Sequence, residues 1–198
     1  TEDSIHEIPV ARALVEPLHC IRGCGDPPQA GAASIPFTPS YDPFSYEKRR
    51  SSSVVIMGHG LGAENTVRVF TTQENWNAVA HKIASMGDYK PEIILEKSGV
   101  VEIDPLDESA VKELNRRAEP CLVTVADATN LEVIAAFRLL ASRIDARHPI
   151  LLKDTFSPPA ENQDFLSALL PAARNIGSLL CDGIGDAILI VFEQTFDS

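Results

Sequence analysis

The chain has 198 residues, 44% of them hydrophobic and 23% charged, which suits one sizeable α/β domain with its own core. Its net charge of −11 argues against a nucleic-acid partner, because gripping a phosphate backbone depends on basic patches. No apolar run approaches the roughly 20 residues that span a bilayer, so no membrane association is expected and a cytoplasmic location is.

The chain opens Thr1-Glu2-Asp3 without an initiator methionine or signal peptide, and reads as an excised fragment. Ile5–Leu18 carries apolar residues at Ile5, Ile8, Val10, Ala13, Leu14 and Val15, the pattern of a short amphipathic helix that Pro17 ends. Residues 23–53 are rich in Gly, Pro and Ser without a period. They read as an irregular arm anchored by Phe37, Tyr41, Phe44 and Tyr46. The basic run Lys48-Arg49-Arg50 in that arm reads as a solvated loop. These features divide the chain into an N-terminal helix and arm over 1–53 and an α/β body over 54–198.

From residue 54 the rhythm changes. Val54–Met57 and Val67–Phe70 read as β-branched strands. Gly58-His59-Gly60-Leu61-Gly62 between them lacks the spacing of a nucleotide-binding loop and reads as a turn. Thr72–Met86 reads as a helix capped by Thr72. Ile93–Leu95 and Val100–Ile103 read as strands, Asp107–Ala118 as a helix capped by Asp107, and Leu122–Val125 as a strand. Asn130–Ile144 reads as a helix with an Asn cap. Ile150–Leu152 is a strand, and Glu161–Asn175 a helix that Pro171 should kink or end early. Gly177–Phe192 reads as two buried strands joined by the acidic turn Gly183-Ile184-Gly185-Asp186. Alternating strands and helices, with strands apolar on both faces, predict a parallel sheet covered by helices. An open doubly wound sheet and a (βα) barrel both fit.

Four cysteines are present. Cys121 opens one predicted strand and Cys181 closes another, the placement of buried free thiols. His19, Cys20 and Cys24 lack a second ligand pair at suitable spacing, so no metal site is expected. Functional side chains of parallel α/β folds lie at the carboxyl ends of strands. Glu96 with Lys97, Asp127, the Lys153-Asp154 pair, and Asp182 with Asp186 occupy such positions in this reading. Converging there, they would bind a metal or serve acid–base chemistry on a small molecule. Otherwise each caps a helix or braces a loop, and Asp127, three residues before Asn130, has the spacing of a cap. Lys153-Asp154 is the strongest catalytic candidate. His148 precedes Pro149 at the start of a strand, the wrong rim for barrel chemistry.

The stretch Cys121–Phe192 resembles the second half of the catalytic barrel of the 4-hydroxy-3-methylbut-2-enyl diphosphate synthases. Leu122-Val123-Thr124-Val125 is similar to that family's Val-Ser-Val strand. Arg138-Leu139-Leu140-Ala141 with Ile144-Asp145 is similar to its Arg-Leu-Leu-Ala…Ile-Asp helix. Lys153-Asp154 stands at its Thr-Glu, and Gly183-Ile184-Gly185-Asp186 at its Gly-Ile-Gly-Asp. The resemblance implies a Lys, an Arg and a Ser that hold the substrate diphosphate, yet Ala126, Leu189 and Val191 stand at those positions. Aliphatic side chains offer neither cationic forks nor hydroxyl donors. Thr1–Ala11 resembles the run-out of the true catalytic barrel. The family's Cys-Pro-x-Cys-Gly and Asn-Gly-Pro-Gly motifs are absent.

The resemblance therefore implies a degenerate (βα) TIM-barrel-like domain, the middle insertion domain of a large three-domain bacterial synthase. Such a domain would be a non-catalytic spacer that positions the iron–sulfur module over the catalytic barrel. Both modules would be its partners in the same chain. The parent enzyme would open 2-C-methyl-D-erythritol 2,4-cyclodiphosphate reductively, with a [4Fe–4S] cluster and reduced flavodoxin or ferredoxin. No cofactor, metal or catalytic residue is expected within this chain itself. Two other readings remain. One is a stand-alone barrel-type enzyme using Glu96, Asp127, Lys153, Asp154 and Asp182. The other is an interaction platform with residues 37–46 docking a neighbouring domain.

Overall fold

In the computed structural model the described residues are 46–87, 90–156 and 165–192, without the side chains of 165–168 and 192. The predicted Ile5–Leu18 helix, the aromatics Phe37, Tyr41 and Phe44, and the His19, Cys20 and Cys24 group lie outside them. The described chain opens with β1 (Val54–Ile56) and β2 (His59–Leu61), an antiparallel hairpin. Its Met57-Gly58 turn has positive φ at both residues, the geometry that two-residue hairpins require. Ile56 and Leu61 turn inward from this hairpin onto Phe70, Ile93, Leu122, Leu151, Ala187 and Leu189.

Parallel strands follow, separated mostly by helices: β3 (Arg68–Thr71), α1 (Gln73–Val79), β4 (Ile93–Ile94), β5 (Val101–Ile103), α2 (Glu108–Arg116), β6 (Val123–Val125), α3 (Val133–Arg143), β7 (Leu151–Phe156), α4 (Phe165–Cys181) and β8 (Ala187–Phe192). Pairing runs β4-β3-β8-β7 in one sheet and β5-β6 in another. A parallel bridge from Val123 to Ile150 joins the two, helped by the Thr124 hydroxyl, which donates to the Leu151 carbonyl at 2.8 Å. From β3 onward, sequential strands other than β4 and β5 are thus neighbours, and β8 returns to β3. Among the described residues no ladder joins β4 to β5, so no closed barrel is seen.

Strand alternation sorts the apolar residues into two cores. Ile103, Val123, Val125, Ile150 and Leu152 face the helices and pack on Val111, Leu114, Phe137, Leu140, Ile176 and Leu179. Phe70, Leu122, Leu151, Ala187 and Leu189 face the other way, onto the hairpin. Helix α2 starts where Asp107 accepts the N–H groups of Ser109 and Ala110 at 2.9 and 3.1 Å. The Ser109 hydroxyl, then those two amides, hold the Asp107 carboxyl below its ordinary range.

Several expectations change. Thr72 does cap α1, but that helix stops at Val79 and gives way to a short 3₁₀ turn at Ile83–Ser85. Helix α3 begins at Val133 behind Glu132, so Asn130 is not its cap. Pro171 sits inside α4, which runs on to Cys181. Burial of Ala172, Ile176 and Leu179 beyond the proline offsets the lost hydrogen bond. Gly177–Cys181 is accordingly the end of a helix and not a strand, since a short apolar run fits either. Strand β7 continues to Phe156, which places Lys153 and Asp154 within it.

The basic run is not a solvated loop. The Arg49 guanidinium donates to the carbonyls of His148 and Asp145 at 2.6 and 2.7 Å, and Lys48 donates to the Ala63 carbonyl at 2.8 Å. Tyr46 is not an anchor: it is 67% exposed.

Candidate functional site at the carboxyl rim

The carboxyl ends of β6 and β7 border a cleft of about 200 Å³ whose walls include Ala126, Asp127, Thr129, Phe137, Lys153 and Asp154. The Lys153 side chain is only 9% exposed. Its ammonium lies 2.7 Å from the Asp127 carboxylate and 2.8 Å from that of Glu102 on β5. Burial works against the ammonium, but the two carboxylates outweigh it and hold the lysine above its usual range. Lys153 is therefore a protonated cation whose charge is matched on two sides. A lysine in that state is a poor nucleophile and a poor base.

Alternation along β7 turns Asp154 toward α4, where one oxygen accepts from the Asn175 amide at 2.8 Å. The other accepts the Thr155 N–H at 2.9 Å. Burial pushes this carboxyl above its ordinary value, and those hydrogen bonds only partly oppose it. A weakened acidity of this kind is the property of a general acid.

The five predicted side chains do not converge. Asp127, Lys153 and Asp154 border one cleft. Glu96 lies in a 3₁₀ turn after β4, where its carboxylate accepts the N–H of Gln73, the first residue of α1, at 2.9 Å; it caps a helix. Asp182 follows α4 and precedes β8, so it lies at the amino rim, where the Arg138 guanidinium donates to it at 2.8 Å. Asp127 is no cap either, since it is committed to Lys153.

Asp186 also belongs to the amino rim. It is buried, and its two oxygens accept from the Ser51 hydroxyl at 2.7 Å and the Ile150 N–H at 2.9 Å. Close by, buried His148 accepts the Cys121 N–H at Nδ1, 3.2 Å away. Burial, then the Arg147 charge, holds its imidazole below the usual range.

Glu102 and Asn175 were missed by sequence reasoning. The signal for Glu102 was a charged residue between Val101 and Ile103, which alternation must turn away from the apolar face. Among the described residues no group of three His, Cys, Asp or Glu side chains comes together to hold a metal. At the three positions where the resemblance implies diphosphate ligands, Ala126 borders the cleft, Leu189 is 1% exposed, and Val191 packs against the inward core.

No protein-family model matches the chain, and no solved structure matches it. Over 194 residues, 98% of its length, the chain is 41% identical to the 4-hydroxy-3-methylbut-2-en-1-yl diphosphate synthase (flavodoxin) of Akkermansia muciniphila. It spans 32% of the length of that relative. The chain is thus similar, from end to end, to one segment of a longer synthase.

Proposed function

We propose that this chain is a spacer domain of a 4-hydroxy-3-methylbut-2-enyl diphosphate synthase, holding the modules that carry the chemistry at a fixed separation. The supporting observation is the path of the backbone. Residues 47–52 pack on the amino rim, where the Arg49 N–H donates to the Gly183 carbonyl at 2.9 Å, and β8, a strand of six residues, runs on to the opposite rim. At ~3.3 Å per residue that strand spans about 20 Å. The fold, on this reading, is a barrel relic with its seam open between β4 and β5.

The aliphatic Ala126, Leu189 and Val191 add a second support. Leu189 and Val191 fill the inward core, where a diphosphate would need cations and hydroxyl donors. The parent enzyme would open 2-C-methyl-D-erythritol 2,4-cyclodiphosphate with electrons from flavodoxin, in the cytoplasm. Its [4Fe–4S] cluster would supply the electron-transfer step and, as the resemblance implies, would be held by another module of the same chain.

A stand-alone enzyme is the second reading, and the Lys153–Asp154 cleft favours it. The pairing of Lys153 with Glu102 and Asp127 weighs against it, because an anionic substrate would have to displace a carboxylate already in place. Two experiments separate the readings. Replacing this segment in the whole synthase by a flexible Gly/Ser linker should abolish most turnover while cluster content is retained; full turnover would overturn the spacer role. Calorimetric titration of the chain with the cyclic diphosphate should show no binding tighter than millimolar, and tighter binding would favour the enzyme reading.

A further inference from the structure

The Gly183-Ile184-Gly185-Asp186 turn has a task that neither cleft nor chemistry explains. Residues 47–51 lie directly on it. Gly183 has φ +76°, and a Cβ there would run into the Glu47 carbonyl oxygen and come within 2.8 Å of the Lys48 Cα. Gly185 has φ +118°, and a Cβ there would meet the Leu152 side chain at 2.6 Å. Both positions thus need glycine for backbone conformation and for close approach.

Several hydrogen bonds cross this contact. The Arg49 N–H donates to the Gly183 carbonyl at 2.9 Å, and two residues on, the Ser51 hydroxyl donates to the buried Asp186 carboxylate at 2.7 Å. The Ser52 N–H donates to the Arg147 carbonyl at 2.9 Å. Between them the Arg49 side chain reaches two further carbonyls, those of Asp145 and His148. Lifting the segment would leave buried Asp186 without the hydroxyl and take the guanidinium from both carbonyls. Buried polar groups left unmatched are costly, so the arrangement resists lifting.

We infer that the Gly183–Asp186 turn is a docking seat for the incoming chain, and that it joins residues 47–52 to the amino rim as a rigid joint. A spacer can set an angle only if the polypeptide entering it cannot swivel, so the joint's purpose rests on the spacer reading. The seat itself does not: it stands or falls on the contact between two segments of this chain.

Lys48-Arg49-Arg50 provides the test, because three consecutive trypsin sites lie in the seated segment. Cleavage at such sites follows the population in which the segment has lifted. On the whole polypeptide, cleavage after Lys48 and Arg50 should be at least about tenfold slower than in a synthetic peptide of residues 46–53. Gly183→Ala should raise it about tenfold while the urea midpoint of the body still shows a folded domain. Arg49→Gln removes the two carbonyl contacts without touching the turn, and should raise cleavage after Lys48 and Arg50 even where Gly183→Ala fails to fold. Cleavage of the wild-type segment at the peptide rate, or no change in either variant, would overturn the seat. Loss of the seat with full turnover of the synthase would leave the seat standing and remove the spacer reading.

Discussion

Asp186 at the amino rim and Asp127 at the carboxyl rim are both aspartates beside a β-strand, but their surroundings differ. Asp186 is 6% exposed, with one oxygen taken by Ser51 and the other by Ile150. Asp127 has a side chain 78% exposed and meets Lys153. An acid whose acceptors are matched by groups of the fold is part of the architecture. An acid standing in water beside a cation is more adjustable, since on its removal the Lys153 ammonium keeps its second carboxylate, Glu102. On this contrast, Asp186 is expected to matter more to stability than Asp127.

The largest test of that contrast is Asp186→Ala. It strands the Ser51 hydroxyl and the Ile150 N–H, each a buried donor worth about 1–3 kcal/mol when left unmatched. A loss of roughly 2–5 kcal/mol in urea-unfolding stability is expected. A loss below about 1 kcal/mol would mean that water replaces the carboxylate, and the contrast between the rims would be gone.

The two rims should also respond to pH with opposite signs. His148 is buried, and its folded pKa lies below the usual 6.5. The unfolded chain then binds the extra proton, so this contribution is present in full above about 6.5 and lost as pH falls through the lower folded value. Asp154 has its folded pKa above the usual 3.8. There the folded chain keeps the proton, so the contribution is full below 3.8 and lost as pH rises through the raised value. Urea midpoints from about pH 4 to about pH 8 would separate them. His148→Gln should flatten the acid-side loss, whereas Asp154→Asn should flatten the decline toward neutral pH and gain stability there. Slopes of the same sign in the two variants would contradict the burial argument at one rim.

Local chemistry was legible in the sequence where it decides the structure by itself. Asp107 and Thr72 were read as caps and are caps. Leu122–Val125 was read as a strand buried on both faces, and Val123–Val125 is one. What could not be read was set by partners far along the chain. Arg49 finds its carbonyls 96 and 99 residues away, and nothing around Lys48-Arg49-Arg50 announces them. Asp182 and Asp186 were assigned to the wrong rim because Gly177–Cys181 suits a strand or a helix equally. Once that run became the end of α4, both aspartates fell at the start of β8 instead of beyond the end of a strand.

The smallest expected effect is at Lys153, and it bears most directly on which rim is adjustable. Lys153→Met removes a largely buried cation but keeps the aliphatic stem that fills the same space. Glu102 and Asp127 lose their shared partner, yet their side chains are 47% and 78% exposed, so water takes over their solvation. Replacing a poorly accessible ion pair by an apolar side chain of similar volume is often neutral or slightly stabilising, and a change within about 1 kcal/mol is expected in urea unfolding. A loss like that predicted for Asp186→Ala would show that the Lys153 network is as structural as the amino rim. Near-neutral stability together with lost turnover in the whole synthase would point the other way, to a cation kept for chemistry.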